Sequence, residues 1–489
     1  MIIRGKRLMP LLIAAAAAAL SFPSCSAEVG QFEVHNDKSS RSARQETTEE
    51  TAAPEITVTT TTEFVYRGNI YDTNHRLLTY GTYAYENEDQ RYYGEDCGYS
   101  FGNIISVASS GLDEALKDLL CTKNPTPVNE SNNVGESVRL TIDADKQNEL
   151  CTYMANMGMA GSIVVLRTDG SIMAEASYPN YDPELFYSDT EYSSNLYSGT
   201  LQNKAFQNAS PGSCFKIMSE VIADKNGIHT VYDDGEWFDS GATIVNWDHD
   251  SGMYPIPERT LSSAFVGSSN IFFAKVFDQL GSEKVLEELG SIFHFCDPID
   301  CDFGTIQNNI EIYCLDDLRR SAFGQSYVKT CPIYLAALGR EAVFGDMVKP
   351  FVVQQIVDTT DPNKECAKGS APYEVIASIP KEYRQNLLDG MRGVANNIGV
   401  YVPENYEFFA KTGTAETGAG DFLYITGCLR NVADKSAEKP VYSDYSNYAQ
   451  DGSYIIVMQL QNPADFGFNF ASETGFLYQG IVNIVLSEY

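Results

Sequence analysis

From Val138 onward the chain carries apolar residues in short dense runs towards both ends and in helix-spaced stretches between them. GSIVVLRTDGSIMAEAS, Gly161 to Ser177, is two apolar runs around Thr168-Asp169-Gly170, which predicts a hairpin. YEFFAKTGTAE and FLYITGCL predict a second hairpin, with its turn around Gly418 to Gly420. SYIIVMQLQ, Ser453 to Gln461, is a further strand, and GFLYQGIVNIVLSEY closes the chain as a helix. Between these strand-rich ends, residues 200 to 400 read as mostly helical, as in NIFFAKVFDQLG and IYLAALGREAVF. The economical architecture is α+β: one antiparallel sheet built from both ends, a helical subdomain inserted in the middle, and helices covering the sheet.

The pattern is weaker upstream. Residues 64 to about 135 mix short apolar runs with tyrosines and glycines and read as a small α+β segment, with GLDEALKDLL (Gly111 to Leu120) as a short amphipathic helix and NPTPVNESNNVGE as a linker. Residues 28 to about 63 are rich in Ser, Thr and Glu, lack apolar periodicity, and read as a disordered tether. Residues 1–27 carry Arg4, Lys6 and Arg7 ahead of an uncharged stretch centred on LLIAAAAAAL. This is an export signal: a lipoprotein signal with Cys25 as the lipidated residue, a signal cleaved after Ala27, or a short membrane anchor. Each option places the folded part outside the cytoplasm.

Composition narrows the function class. A chain of 489 residues with 43% hydrophobic residues can bury a large core and exceeds the usual size of one domain. A formal net charge of −32 repels nucleic acid, so no nucleic-acid partner is expected. Cys151, Cys331 and Cys428 stand alone in apolar contexts and read as buried free thiols, whereas Cys296 and Cys301 are the best candidates for a local pair. No zinc-type Cys-x-x-Cys spacing appears, so neither a metal nor a cofactor is expected. DHD, Asp248 to Asp250, reads as a solvated loop.

Three short strings carry candidate chemistry. In NASPGSCFKIMSE a Pro-Gly turn leads into a helical run, so Ser213 falls in the first turn and Lys216 three residues later on the same face. Burial lowers a lysine pKa, which lets its amine take the proton of a serine nucleophile, while the helix N-terminus offers N–H groups to an oxyanion. The plain alternative is a serine cap and a lysine that snorkels to water. The pattern S-x-N occurs at Ser131 to Asn133, Ser193 to Asn195 and Ser268 to Asn270, and only the last opens an amphipathic helix downstream of Lys216. There Ser268 can relay a proton and Asn270 can hold a substrate amide, or the pair simply caps a helix. In KTGTAE, Lys411 supplies positive field for a carboxylate, Thr412 and Thr414 supply hydroxyls, and Gly413 allows close backbone approach. An ordinary hairpin strand with a surface lysine is the alternative there.

The order S-x-x-K, S-x-N, K-T-G resembles the motif set of penicillin-binding proteins and serine β-lactamases. RGNIYDTNHRLLTY, VRLTIDADKQ, SYPNYDP, NKAFQNASPGSCFK and GQSYVKTCP resemble further segments of the class B penicillin-binding proteins, over most of residues 64–489. The resemblance implies a β-lactamase/transpeptidase-like fold: a five-stranded antiparallel sheet flanked by helices, an inserted all-helical subdomain, and a small N-terminal segment (64–135) before a transpeptidase domain (136–489). It implies Ser213 as nucleophile, Lys216 as its base, Ser268 as proton relay, and Asn270, Lys411, Thr412, Gly413 and Thr414 as substrate-binding residues. The activity implied is D,D-transpeptidation of peptidoglycan stem peptides, with β-lactams acylating the same serine. Carboxypeptidase or β-lactamase action, and non-catalytic β-lactam or wall binding, stay open beside it, although Ser268-Ser269-Asn270 departs from the S-x-V of class D lactamases. The partners implied are stem peptides or their lipid-linked precursor, a membrane-bound glycan polymerase and other wall-synthesis proteins, at the outer face of a bacterial cell membrane. Cys214 stands where the family usually has threonine, and is expected to be a packed thiol without a catalytic role.

Overall fold

The Thr168-Asp169-Gly170 turn closes the expected hairpin. Gly170 takes a φ of +91° and Asp169 Oδ1 accepts a hydrogen bond from the Ser171 N–H at 2.8 Å. The strands Gly161–Arg167 and Ile172–Tyr178 pair antiparallel and are buried along nearly their whole length. Burial on both faces explains why their sequences are continuous apolar runs rather than alternating ones. The computed structural model describes residues 67–80, 92–105, 111–121, 135–197, 199–239, 242–249, 258–357, 373–417, 420–432 and 452–487. The expected export signal with Cys25 and Ala27, the tether, the linker NPTPVNESNNVGE apart from its last two residues, and the serine pattern at Ser131 lie outside the described residues.

Three C-terminal strands complete the sheet. Its order is Tyr406–Ala415, Phe422–Asn431, Tyr454–Gln461, Gly161–Arg167, Ile172–Tyr178, antiparallel throughout. Both ends of the region that follows Val138 therefore meet in one five-stranded sheet, as the pattern predicts. Helices cover its two faces. Gly339, in the helix Pro332–Phe344, approaches Thr426 and Ile455, whereas the hydroxyl of Tyr478, in the helix Gly475–Leu486, packs at Gly427 and donates to the Ile456 carbonyl at 2.9 Å. Neighbouring residues of a strand point to opposite faces, so these two helices sit on opposite sides.

The segment inserted between Tyr178 and Tyr406 is helical in bulk, with helices that include Lys216–Lys225, Leu261–Val266, Asn270–Leu280, Ser282–Phe293 and Arg384–Asn397. It is not all-helical. Among the described residues four two-stranded ribbons interrupt it: Glu236–Asp239 with Ala242–Val245, Ile299–Cys301 with Gly304–Ile306, Thr230–Val231 with Arg259–Thr260, and Asp346–Val348 with Val375–Ser378. Strands of two to four residues are too short to leave a periodic signal, which is why the helical expectation left them out.

The N-terminal strands Ile70–Tyr71, Leu77–Tyr80 and Tyr92–Tyr93 join Ser137–Leu140 and Val353–Val357 in a second five-stranded sheet. Ile70 runs parallel to Val138, so the expected boundary at residue 136 falls inside that sheet. Arg67 and the buried Asp113 form an ion pair that ties this segment to the helical turn Gly111–Ala115. The single amphipathic helix expected over Gly111–Leu120 is split at Leu116 into two short pieces. Cys296 and Cys301 are both free thiols, so the candidate local pair is not formed, and Cys151, Cys331 and Cys428 are buried free thiols as expected.

Candidate active site

Gly212 starts the site. Its φ of +54° and the absence of a Cβ, which would meet the Thr414 carbonyl oxygen at 2.3 Å, let the Pro-Gly turn press against the edge strand Tyr406–Ala415. The chain then winds a 3-10 turn over Gly212–Phe215 and an α-helix over Lys216–Lys225. Residues 216 to 224 of that helix are all buried, so Lys216, with no exposed surface, cannot snorkel. Its Nζ lies 2.9 Å from Ser213 Oγ, as the three-residue spacing predicts.

The second wall is Ser268-Ser269-Asn270. Ser268 holds a φ of +55°, a conformation that non-glycine residues rarely adopt and that often marks functional positions. Ser269 caps the helix Asn270–Leu280, accepting from the Phe272 N–H at 3.0 Å and donating to the buried Asp233 carboxylate at 2.6 Å. Ser268 and Asn270 thus face Lys216: its Nζ donates to the Ser268 carbonyl oxygen at 2.7 Å and to Asn270 Oδ1 at 2.7 Å, and lies 3.2 Å from Ser268 Oγ. The capping role and the role facing Lys216 are divided between adjacent serines.

A buried network behind this wall escaped sequence reading. Asp233 accepts from Asn246 Nδ2 at 2.9 Å and pairs with Arg259 at 2.9 Å, and Asn246 Oδ1 accepts from the N–H groups of Asn270 and Ile271 at 2.7 and 3.1 Å. Asp248, expected in a solvated loop, pairs with Arg259 at 3.4 Å. No strand or helix period links positions 233, 246 and 259. The available signal was a short acidic stretch, VNWDHD, upstream of Ser268.

The third wall is the edge strand. Lys411, Gly413 and Ala415 are buried, whereas Thr412 and Thr414 alternate with them and line the open side. A Cβ on Gly413 would meet the Pro211 carbonyl oxygen at 2.5 Å and Cys214 Sγ at 2.9 Å, so glycine lets the turn carrying Ser213 dock on the strand. Lys411 is fully buried rather than a surface residue, and its Nζ reaches Ser268 Oγ at 3.1 Å and the Thr412 carbonyl oxygen at 2.9 Å. Ser268 Oγ therefore sits between two lysine nitrogens. Cys214 is buried and packed, accepting from Thr426 Oγ1 at 3.6 Å and donating to the Lys411 carbonyl at 3.5 Å, and burial pushes its thiol pKa up.

Ser213, Ser268, Asn270, Thr412 and Thr414 open onto a cavity of about 840 Å³, with Trp247, Gln325 and Phe470 on its rim. The other described serine pattern, at Ser193, belongs to the short exposed helix Thr190–Ser194, away from this cavity's lining. Among the described residues no cluster of His, Cys, Asp and Glu has the makings of a metal site.

Burial holds Lys216 well below the usual lysine range, helped by the charges of Lys411 and Arg259 and opposed by Asp233 and Asp248. Burial also brings Lys411 down to about 8. A neutral lysine amine has two N–H groups and one lone pair. Two carbonyl oxygens at 2.7 Å take the two N–H groups, and the lone pair is left for a hydroxyl proton, with Ser213 Oγ at 2.9 Å. Asn270 Nδ2 donates to the Val245 carbonyl at 3.1 Å, which leaves its Oδ1 turned to Lys216. This arrangement can deprotonate a serine inside a cavity lined by hydroxyl and amide groups.

Comparison with known proteins places these residues within one matched region. Residues 161–452 match the family model of the penicillin binding protein transpeptidase domain. Peptidoglycan D,D-transpeptidase MrdA of Escherichia coli K12 is 24% identical over 359 residues, covering 67% of this chain and 55% of MrdA, so the chain spans about half the length of that relative. Two solved structures share the fold. One is the D,D-transpeptidase domain of a peptidoglycan glycosyltransferase from Eggerthella lenta, with a TM-score of 0.67 and 21% identity over 86% of this chain and 98% of that one. The other is penicillin-binding protein A of M. tuberculosis in an imipenem acyl-enzyme complex, with a TM-score of 0.69 and 18% identity over 86% of this chain and 99% of that one.

Proposed function

The chain belongs to the penicillin-binding protein transpeptidase family, and on that premise we propose that it is a serine D,D-transpeptidase that cross-links peptidoglycan stem peptides through an acyl-enzyme on Ser213. The observation that carries this reading is the hydrogen-bond geometry at Lys216, whose two N–H groups face carbonyl oxygens and whose lone pair is left for Ser213.

In the first half-reaction Lys216 Nζ takes the Ser213 hydroxyl proton as Oγ attacks the carbonyl between the two terminal D-alanines. The negative charge that develops on that oxygen is met by the backbone N–H groups of Ser213 and Thr414. Ser268, within 3.2 Å of Lys216 and 3.1 Å of Lys411, passes the proton to the departing amine, and D-alanine leaves. Lys411 offers positive field to the substrate carboxylate, with the Thr412 and Thr414 hydroxyls beside it, and Asn270 orients the peptide amide. In the second half-reaction an amine of another stem attacks the ester, its proton returns through Ser268 and Lys216, and Ser213 is released. Penicillin acylates the same oxygen and stays.

The catalytic unit in this reading is residues 136–489, with the segment 64–135 adding strands to it. It works at the outer face of a bacterial membrane, on stem peptides or their lipid-linked precursor and beside a membrane-bound glycan polymerase. Attachment comes from residues 1–27 as an anchor or from a lipid on Cys25, and cleavage after Ala27 would release it. What supports this location is the charged-then-apolar start of the chain. Among the described residues no helix is long and apolar enough to cross a membrane.

Labelling with a fluorescent penicillin tests the assignment. Wild-type protein should retain one label per chain, mapped by mass to the peptide containing Ser213, and Ser213→Ala should retain none. Full labelling of Ser213→Ala would overturn the assignment, and rapid loss of label as hydrolysed penicillin would make the protein a β-lactamase instead.

A further inference from the structure

Asp233 sits behind the candidate active site with no exposed surface, and it is not part of the cavity lining. Its carboxylate collects donors from three separate stretches of chain. Ser269 Oγ donates at 2.6 Å, Asn246 Nδ2 lies 2.9 and 3.0 Å from the two oxygens, and the Gly235 N–H donates at 3.0 Å. Arg259 pairs with it at 2.9 Å. An ionised carboxylate only accepts, so the side chains around it are each held in one sense. With its NH₂ turned to Asp233, Asn246 turns its Oδ1 the other way. There it accepts from the N–H groups of Asn270 and Ile271, at the start of the helix Asn270–Leu280. With its proton given to Asp233, Ser269 Oγ offers a lone pair to the Phe272 N–H.

The consequence falls on Lys216. Asn270 Oδ1 and the Ser268 carbonyl oxygen are the two acceptors that take its N–H groups and leave the lone pair to Ser213. Ser268 holds its φ of +55° just where the preceding helix closes, with the Ser268 N–H on the Phe265 carbonyl and the Ser269 N–H on the Ala264 carbonyl. Such a conformation persists only where the surroundings fix it. Asp233 fixes the next residue, Ser269, directly, and the one after it, Asn270, through Asn246. Both acceptors on Lys216 therefore rest on one carboxylate that is hydrogen-bonded to neither. Electrostatics pull the other way: the charge of Asp233 favours protonated Lys216, so removing it favours the neutral base. A slower reaction without that charge is a loss of geometry.

We propose that Asp233 is a positioning residue for acyl transfer, which acts through Asn246 and Ser269 to hold Asn270 Oδ1 and the Ser268 carbonyl on Lys216. The inference rests on the assignment of Lys216 as the base for Ser213. A double-mutant cycle in penicillin acylation of the full chain tests it, because residues that act through one another are not additive. Stopped-flow labelling gives the saturating rate and the half-saturating penicillin concentration separately. In Asp233→Asn one acceptor oxygen becomes a donor among donors. The saturating rate should fall at least tenfold while the half-saturating concentration changes less than threefold. In an Asn270→Ala background, which has already lost the Oδ1 contact, the same substitution should cost less than threefold. Asn246→Ala leaves Asp233 and Arg259 paired and should show the same two results. It decides the matter if Asp233→Asn does not fold, as judged by circular dichroism. An equal loss in both backgrounds, a wild-type rate in either folded variant, or a loss confined to the half-saturating concentration would overturn the inference. Wild-type protein that takes no label on Ser213 would instead overturn the assignment of the nucleophile, and this inference with it.

Discussion

Lys216 can act as a base only while it is neutral, and its surroundings enforce that state by burial and by a second buried lysine. Lys216→Arg puts a permanent charge in place of the neutral amine and removes the base. It should lower the rate of penicillin acylation by about 10²- to 10⁴-fold, the usual worth of general-base catalysis, measured by stopped-flow labelling. Lys411 has the opposite requirement in the proposed reaction, where its charge would attract the substrate carboxylate, and that charge is lost as pH rises through about 8. Acylation kcat/KM should therefore fall above about pH 8, and Lys411→Arg, which stays charged, should remove that falling limb in a variant that retains activity. A flat profile between pH 7 and 10 in wild-type protein would count against this role. At this scale the sequence was informative wherever chemistry was packed into consecutive residues. All eight candidate residues come together around Ser213, Ser268 and the edge strand. Asp233, Asn246 and Arg259 were invisible because a buried polar network is assembled from distant positions that no strand or helix period links.

The elements matter because two of them touch without side chains between them. The turn at Pro211-Gly212 rests on the edge strand at Gly413, and the missing Cβ atoms on both sides allow it. Gly413→Ala places a methyl 2.5 Å from the Pro211 carbonyl oxygen, a contact with backbone that no rotamer can relieve. The variant should acylate at least tenfold more slowly and unfold several degrees lower by calorimetry, and wild-type rates would show that this contact does not position Ser213. Strand and helix identities in the catalytic region were legible because their apolar runs are long. The short ribbons of the insert and the split helix at Leu116 were not, since two to five residues carry too little pattern.

The whole molecule adds a stability argument. Three buried glutamates, Glu175, Glu220 and Glu341, are pushed up by burial, Glu175 to about 8 and the others well above the carboxylate range. Unfolded, each ionises near 4.5, so between about pH 5 and 7.5 the folded chain binds more protons than the unfolded one. Their stabilising contribution is present below that window and is lost as pH rises through it. Lys216 opposes this with one proton at most, and Lys204 and Lys411, lowered to about 8, with a small fraction of one each, so the three carboxyls outnumber them. The melting temperature should rise as pH falls from 7.5 to 5.5, and relief of self-repulsion in a chain of net charge −32 acts in the same direction. A melting temperature that rises with pH over this range would contradict the account.

By itself the sequence determined what depends on neighbours in the chain. The apolar runs set the strands and helices, a Pro-Gly turn set Ser213 one helical turn before Lys216, and the strand period put Thr412 and Thr414 on one face. Tertiary structure alone decided what depends on distance in space. It buried Lys216 and Lys411 together, divided capping and Lys216-facing positions between Ser269 and Ser268, and drew the N-terminal strands into a shared sheet. The physical reason is that local pattern sets which backbone conformation is cheapest. Desolvation, packing and hydrogen-bond satisfaction depend on groups that the fold brings from far along the chain.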